Sequence, residues 1–382
     1  MSEWRKVILS DIASFTTGKL NSNAAVENGK NPFFTCSPET LRIDNYAFEQ
    51  EAILLAGNNA EGNFNIKYYN GKFNAYQRTY VFTAKDNCVL RFLFYSLKLC
   101  LDNFKRISQG TATKFLTAKI LNSFELMLPN LKMQQQIASI LSAIDDKIEL
   151  NTSINENLEQ QIQAILLNMI QQDSKKDRIE TVKLGEYLYI KGRIGWKGLK
   201  KDEYLDSSDY RIINGESLTK DGIDWNKAGF ISKERYDESP EIMLQVGDIL
   251  LSKDGTIGKI GYVDNLDSPS TVASGIFVIR NIKPDIISTQ FIYYLLKSKL
   301  FSAFIASRTE GSVIPHLYQK DFMEFAFPLP NADEMSQFDA LTSPLFATVI
   351  KNLRENEFLT ATRDALLPKL MNGEIDVSAV KI

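Results

Sequence analysis

KIELNTSINENLEQQIQAILL, residues 147–167, decides the fold. Its apolar positions recur at alternating steps of four and three, the pattern of a heptad helix that pairs with another helix. The stripe runs through Ile137, Leu141, Ile144, Ile148, Asn151, Asn155, Leu158, Ile162, Ile165 and Met169. Two consecutive seam positions are asparagines. A buried amide is costly unless it finds a hydrogen-bond partner, so the sequence implies a partner helix that supplies one.

A second stretch supplies the candidate. NLRENEFLTATRDALLP (352–368) aligns without gaps on NTSINENLEQQIQAILL (151–167), an offset of 352 minus 151, or 201. Asn151 falls on Asn352, Asn155 on Asn356, and Leu158 on Leu359. Upstream, FELMLPN (124–130) matches FAFPLPN (325–331), FLFYSLK (92–98) matches FIYYLLK (291–297), and QEAILLAG (50–57) matches VGDILLSK (246–253). WRKVILSDIASF and IETVKLGEYLYI open the two halves alike. An internal repeat of this length means one architecture written twice. Within each half, short β-rich runs broken by Gly, Asn and Asp turns precede an amphipathic helix. The expected fold class is α+β: two pseudo-symmetric mixed α/β domains joined by two long antiparallel coiled-coil helices. The expected boundaries are 1–132 and 182–331 for the domains, 133–171 and 332–374 for the helices. A linker (172–181) and a C-terminal tail (375–382) complete the chain.

A pseudo-two-fold axis lets the helices pair antiparallel. Both amide pairs flank the seam midpoints, near residues 153 and 354. Asn151 and Asn155 are then expected to face Asn356 and Asn352 and to pin the register. From Ile137 to Met169 is 32 steps, roughly 48 Å at 1.5 Å per residue. Half-sites one helical turn apart on a duplex lie ~34 Å from one another.

The 382-residue chain has a formal net charge of -3. Residues 4–132 carry 16 Lys/Arg against 10 Asp/Glu, a net of +6, as a polyanion binder would. Residues 133–171 carry 1 against 5, and residues 182–331 carry 19 against 20. Cys36, Cys88 and Cys100 are few and not in metal-ligand spacing, which fits a reducing compartment. There is no run long enough to span a membrane. The opening MSEWRKVILSDIASF has no charged-then-apolar leader. A cytoplasmic location is expected.

Catalytic constellations are absent. His316 is the only histidine, so a nucleophile–histidine arrangement with a second histidine is excluded. GTIGKIG (255–261) fails the phosphate-loop pattern, because Lys253 stands where Gly is needed and Ile260 where Ser or Thr is needed. NPFF (31–34) departs from an amino-methyltransferase motif at Phe33, and DDK (145–147) lies on the heptad helix. The chain reads as a binding or assembly protein.

Taken together, the duplicated plan, the QQQIASILSAIDDKIELNTSINENLE helix, GDILLSKDGTIGKIG, GRIGWKGLK and the ending LLPKLMNGEI resemble the specificity subunits of Type I DNA restriction–modification systems. The second helix departs from the pattern: it lacks the usual Gln-rich opening, and Arg363 stands opposite Ile162 of the repeat. The resemblance implies that each globular half is a target-recognition domain reading one part of a bipartite double-stranded DNA target. It implies that the helices space the domains and dock two adenine-N6 methyltransferase (modification) subunits, with restriction (translocase-nuclease) subunits joining. S-adenosylmethionine, ATP and Mg would sit on those partners and no cofactor on this chain. The specificity partner of a fused methyltransferase-nuclease, or a stand-alone duplicated DNA-binding regulator or scaffold, are the alternatives.

Base reading needs hydrogen-bonding edges, and phosphate binding needs Lys or Arg. From residue type and loop placement, the candidates in the first half are Lys19, Asn21, Lys72, Asn74, Tyr76, Gln77, Arg78, Thr113 and Lys114. In the second half they are Lys191, Arg193, Trp196, Lys197, Lys253, Thr256, Lys259, Ser312 and His316. No metal ligands are expected.

Overall fold

The computed structural model describes residues 4–173, 181–193, 199–309 and 317–378. The chain divides into two compact units. One holds the residues up to Lys147 with those from Leu359 onward, and the other holds Ile148–Phe358. Each long helix therefore contributes to both units.

In the first unit, β1 (Arg5–Ile8) pairs antiparallel with β8 (Glu125–Leu128). The main sheet comprises β2 (Ala13–Thr17), β3 (Asn31–Phe34), β4 (Leu41–Ile43), β5 (Phe48–Ala56), β6 (Ile66–Ala75) and β7 (Thr79–Ala84), in the order β2-β7-β5-β6-β3-β4. The AILLA end of β5 is buried throughout, as expected of a central strand covered on both faces. Helix α1 (Leu90–Leu99) buries Phe92 through Leu97 in the same core. Helices α2 (Leu101–Ile107) and α3 (Ala118–Asn122) follow, before the first long helix, α4 (Leu131–Asp173).

The second unit repeats the plan. β9 (Thr181–Lys183) pairs with β17 (Ala326–Pro328) as β1 does with β8. β10 (Leu188–Gly192), β16 (Ile276–Asn281), β13 (Ile249–Ser252) and β14 (Ile260–Tyr262) lie side by side in that order. This is the order β2-β7-β5-β6 again. The single ten-residue β6 is replaced by two short strands, β14 and β15 (Ser270–Val272). In consequence β15 takes the parallel partner β11 (Tyr210–Ile213), just as the end of β6 takes β3. β12 (Gly229–Ile231) flanks β11 as β4 flanks β3. Helices α5 (Thr289–Leu296), α6 (Lys299–Thr309) and α7 (Gln319–Met323) correspond to α1, α2 and α3. The second long helix is α8 (Ala332–Met371).

Both long helices start at the asparagine of a Leu-Pro-Asn exit. Asn130 Oδ1 accepts from Met133 N at 3.0 Å. Asn331 Oδ1 accepts from Glu334 N at 3.0 Å while Glu334 returns a carboxylate to Asn331 N, a capping box.

The helices run antiparallel. In the first unit Ile137 and Leu141 share a core with Leu370, Met371 and Leu367. In the second, Ile162, Leu166 and Ile170 share one with Met335 and Phe338. Leu166 and Ile170 differ from the expected seam, since Ile165 and Met169 are only partly buried. A straight α-helix drifts about 20° per heptad against a strict seven-residue repeat. After several heptads the buried face has moved one residue along.

Candidate DNA interface and the polar centre of the helix pair

In the first domain three loops are stitched together by backbone hydrogen bonds. Gly57, at the end of β5, donates its N–H to Arg78 O at 2.8 Å, and its own carbonyl accepts from Leu116 N at 2.9 Å. The loops thus joined are 57–65, 76–78 and 109–116. A fourth, starting at Gly18, joins through the Leu20–Tyr76 bridge and the Gln77 Nε2 to Asn21 Oδ1 bond of 2.7 Å. A Cβ on Gly18 would lie 1.8 Å from Ala75 O, so the close approach of the two backbones requires glycine there. Gly110, at φ +104, makes the turn that brings Lys114 back beside Asn59.

The expected readers divide on this geometry. Lys19, Asn21, Gln77 and Arg78 are exposed, and Tyr76, Thr113 and Lys114 are half-buried. The Arg78 guanidinium stands 5.1 Å from the Phe115 ring centre, a rigid, pre-oriented cation. Asn74 is a correction. It is buried, donates to Asn45 Oδ1 at 2.9 Å and accepts from Ala75 N, so its amide is spent on the fold. Lys72 is exposed but lies across β5 from Glu49, with which it pairs, and over Tyr46. Thr79, beside Arg78, lies across from Ala56. Seven residues of strand, roughly 23 Å, separate those positions, so Lys72 is not part of the loop cluster.

The second domain carries the same stitches. Lys253 N donates to Gly275 O at 2.9 Å, and Lys253 O accepts from Leu317 N at 3.0 Å. Lys253 therefore occupies the position of Gly57, and its loop, 253–259, corresponds to 57–65. Ser252 Oγ holds that loop by donating to Thr256 O and accepting from Lys259 N. Thr256 is exposed at the tip. The Lys253 ammonium is paired with Asp254 at 2.9 Å, and Lys259 donates to Gly215 O at 3.0 Å. Lys191 is exposed at the end of β10. Arg193 is the second correction. It is 3 % exposed and donates to Val272 O, Ser239 Oγ and Thr271 Oγ1, fastening the start of its loop to β15. Burial lowers its pKa from the ordinary arginine value, and the nearby Arg235 adds to the effect. Trp196, Lys197, Ser312 and His316 lie outside the described residues.

The correspondence exposes residues that residue type and loop composition pass over. Loop 57–65, GNNAEGNFN, reads as a turn between strands, although the alignment of QEAILLAG with VGDILLSK sets Gly57 on Lys253. Asn59 Oδ1 accepts from both Glu61 N and Asn63 N, and Asn63 Oδ1 accepts from Lys105 Nζ at 2.7 Å. The equivalent of 76–78, namely Ala273, Ser274 and Gly275, carries no such signal either.

At the middle of the helix pair, within the second unit, the structure brings the four asparagines together. Asn151 Nδ2 donates to Asn356 Oδ1 at 3.0 Å and to Glu355 Oε2 at 2.9 Å. Asn352 Nδ2 donates to Asn155 Oδ1 at 2.8 Å, and Asn155 Nδ2 donates to Val349 O at 3.1 Å. Asn356 Nδ2 reaches Ile148 O and Thr152 Oγ1. Asn151, Asn155 and Asn352 are buried.

Two mixed α/β domains of one topology, joined through long antiparallel helices and presenting matched loop clusters, define a duplicated recognition protein. The family model described as the Type I restriction modification DNA specificity domain matches residues 1–160 and 176–355. The chain belongs to that family, as a specificity subunit with two target-recognition domains. It is similar to the EcoDI specificity subunit of Escherichia coli, 24% identical over 98% of this chain and 89% of that one. It is also similar to the MjaVIII specificity subunit of Methanocaldococcus jannaschii, 23% identical over 98% and 93%. Among solved structures, the Type I restriction–modification S subunit of M. genitalium superimposes with a TM-score of 0.61 at 20% identity, covering 97% of this chain and 96% of that one. Among the described residues no helix is long and apolar enough to cross a membrane, and no group of three or more His, Cys, Asp or Glu could hold a metal.

Proposed function

We propose that this chain is the address-bearing, non-catalytic subunit of a cytoplasmic restriction–modification complex, reading a bipartite target on double-stranded DNA with one half-site per domain. The observation that carries the reading is the repeated three-loop cluster on a repeated strand order, with different side chains in the two copies. Equal scaffolds bearing unequal loops suit two different half-sites. Lys19, Asn21, Tyr76, Gln77, Arg78, Thr113 and Lys114 read or hold the first, and Lys191, Lys253, Thr256 and Lys259 the second. The remaining assignments, Trp196, Lys197, Ser312 and His316, rest on the sequence alone.

The helix pair sets the spacing between half-sites and docks two adenine methyltransferase subunits, with restriction subunits joining them. The asparagine cluster supports a fixed register: slipping one heptad moves a helix by ~10 Å and strands the amides in an apolar seam. S-adenosylmethionine, ATP and Mg belong to those partners. The test is to map N6-methyladenine in a host with and without the gene. A split motif that vanishes with the gene supports the reading. A continuous motif, or none, sinks it.

A further inference from the structure

We propose that loop 57–65 is a base-reading element of the first domain, with Asn63 as its specificity residue and Lys105 and Lys114 as flanking phosphate contacts. The inference rests on the DNA-reading function proposed above and adds a loop that residue type and sequence pattern pass over.

Three independent observations carry it. The first is position. Gly57 makes the same two backbone bonds as Lys253, so loop 57–65 stands where the second domain places its exposed Thr256.

The second is preorganisation. Four of the nine residues are asparagines. Asn59 uses its carbonyl inward, on Glu61 N and Asn63 N, and this holds the Asn63 side chain outward in solvent. An outward amide with a donor and an acceptor can pair bidentately with the N6/N7 edge of adenine.

The third is charge. Lys105 Nζ sits on Asn63 Oδ1. The Lys105 and Lys114 stems bracket Gly62 so closely that a Cβ there would meet them at 3.1 and 3.3 Å. Arg78 on Phe115 lies next along, since Phe115 pairs with Asn58 and Arg78 O with Gly57 N. The loop is thus rimmed by three cations on a rigid frame, with its one exposed carboxylate, Glu61, bonded to Asn63 Nδ2. Meeting a base edge requires Asn63 to exchange Glu61 and Lys105 for that base, which frees the Lys105 ammonium for the adjoining phosphate.

The experiment uses the full chain in its complex with modification subunits. Asn63→Ala, Asn63→Gln and, as the second-domain counterpart, Thr256→Ala are expressed in a host lacking the parent gene, and methylated motifs are sequenced. Either Asn63 variant is expected to degenerate one or two base positions in one half of the split motif only. Thr256→Ala is expected to degenerate the other half. On cognate duplex Asn63→Gln is expected to lose about ten- to a hundredfold in affinity, with no matching loss on random duplex. The glutamine variant keeps an amide on an exposed side chain and carries the test should the alanine variant fold poorly. An unchanged motif with cognate affinity within twofold of the parent's overturns the inference, as does degeneration of both halves by one loop. Were the parent chain itself to direct no split motif, the proposed function would fail instead, so the two failures are distinguishable.

Discussion

Replacing Asn155 and Asn352 with leucine, singly and together, separates what the polar centre costs from what it specifies. In the parent, Asn352 Nδ2 donates to Asn155 Oδ1 at 2.8 Å, and Asn155 Nδ2 donates to Val349 O at 3.1 Å. Asn155→Leu removes both bonds and strands the buried Asn352 amide. A stranded buried donor costs about 1–3 kcal/mol, offset in part by the apolar area of a leucine that packs, so the net loss is about 1–2 kcal/mol. Asn352→Leu strands only Asn155 Oδ1 and leaves the Val349 bond intact, which gives about 1 kcal/mol. In the double variant neither amide remains, and replacing both partners with apolar groups is near neutral or stabilising. The cycle should therefore show about 2–3 kcal/mol of favourable coupling between the leucines in urea unfolding followed by helical circular dichroism. Asn151 and Asn356 still bond across the seam in this double variant, so the register is tested by replacing them with leucine as well. That quadruple variant should tolerate targets whose spacer is lengthened or shortened, because an apolar seam no longer distinguishes registers a heptad apart. Methylation of duplexes with altered spacers reads this directly. Additive losses would refute the coupling, and an unchanged spacer preference in the quadruple variant would refute the register role.

Other outcomes follow from pairings within each unit. Arg363→Ile removes the cation hydrogen-bonded to Asp145, which is 23% exposed and keeps the Tyr95 hydroxyl and the field of the nearby Lys98. It should cost about 1–2 kcal/mol in chemical unfolding, below the ~3–5 typical of breaking a fully buried pair. Tyr95→Phe should cost about 1 kcal/mol through the lost 2.7 Å bond to Asp145, whereas Tyr294→Phe, which removes a buried hydroxyl with no partner, should be neutral or stabilising in the same assay. Burial pushes the Cys88 thiol from its ordinary 9.0 up to about 12. Between those pH values the unfolded chain releases a proton that the folded chain keeps, so stability should fall as pH rises through that window, and Cys88→Ala should flatten the fall. Cys88 should also resist alkylation at pH 8 until the domain is unfolded, with mass spectrometry as the readout.

The helix pair and the duplication are legible in the sequence because each rests on a local period or a literal repeat. A four-three stripe with asparagines at matched positions specifies a helix pair, a pseudo-two-fold axis between the repeats makes that pair antiparallel, and Leu-Pro-Asn stands at both helix starts. What misleads is side-chain fate. Asn74 and Arg193 are residue types that read DNA, and both sit at strands entering candidate loops. Yet strand alternation and a turn of the backbone bring them inward, onto Asn45 and Val272, partners 29 and 79 residues away. No local pattern encodes contacts that distant. Loop 57–65 shows a different limit. The alignment that identifies it lies in the sequence, but its counterpart in the second half is lysine-rich and it is not. Composition thus conceals an equivalence that the backbone bonds of Gly57 and Lys253 make plain.

A duplicated chain faces a difficulty that its own symmetry creates: whatever pairs helix one with helix two would also pair helix one with a second copy of itself. The asparagines do not resolve this, since they recur in both helices. The flanking positions do. Tyr95 and Tyr294 are repeat equivalents, as are Arg363 and Ile162, and Asp145 and Phe346 at the same offset. In the first unit the trio is polar, with Tyr95 Oη donating to Asp145 and Arg363 donating to its other oxygen at 2.8 Å. In the second unit it is apolar, with Ile162 and Tyr294 buried beside Phe346 and the Tyr294 ring 5.8 Å from that of Phe346. Helix one against its own copy would set the Asp145 carboxylate opposite Ile162. Helix two against its own copy would set the Arg363 guanidinium opposite Phe346. Each leaves a charge in a seam without its counter-ion, an arrangement that costs several kcal/mol. The departure of Arg363 from the repeat is therefore consistent with the rest of the design. The shared asparagines fix where the helices cross, and the unshared aspartate–arginine pair fixes which helix meets which.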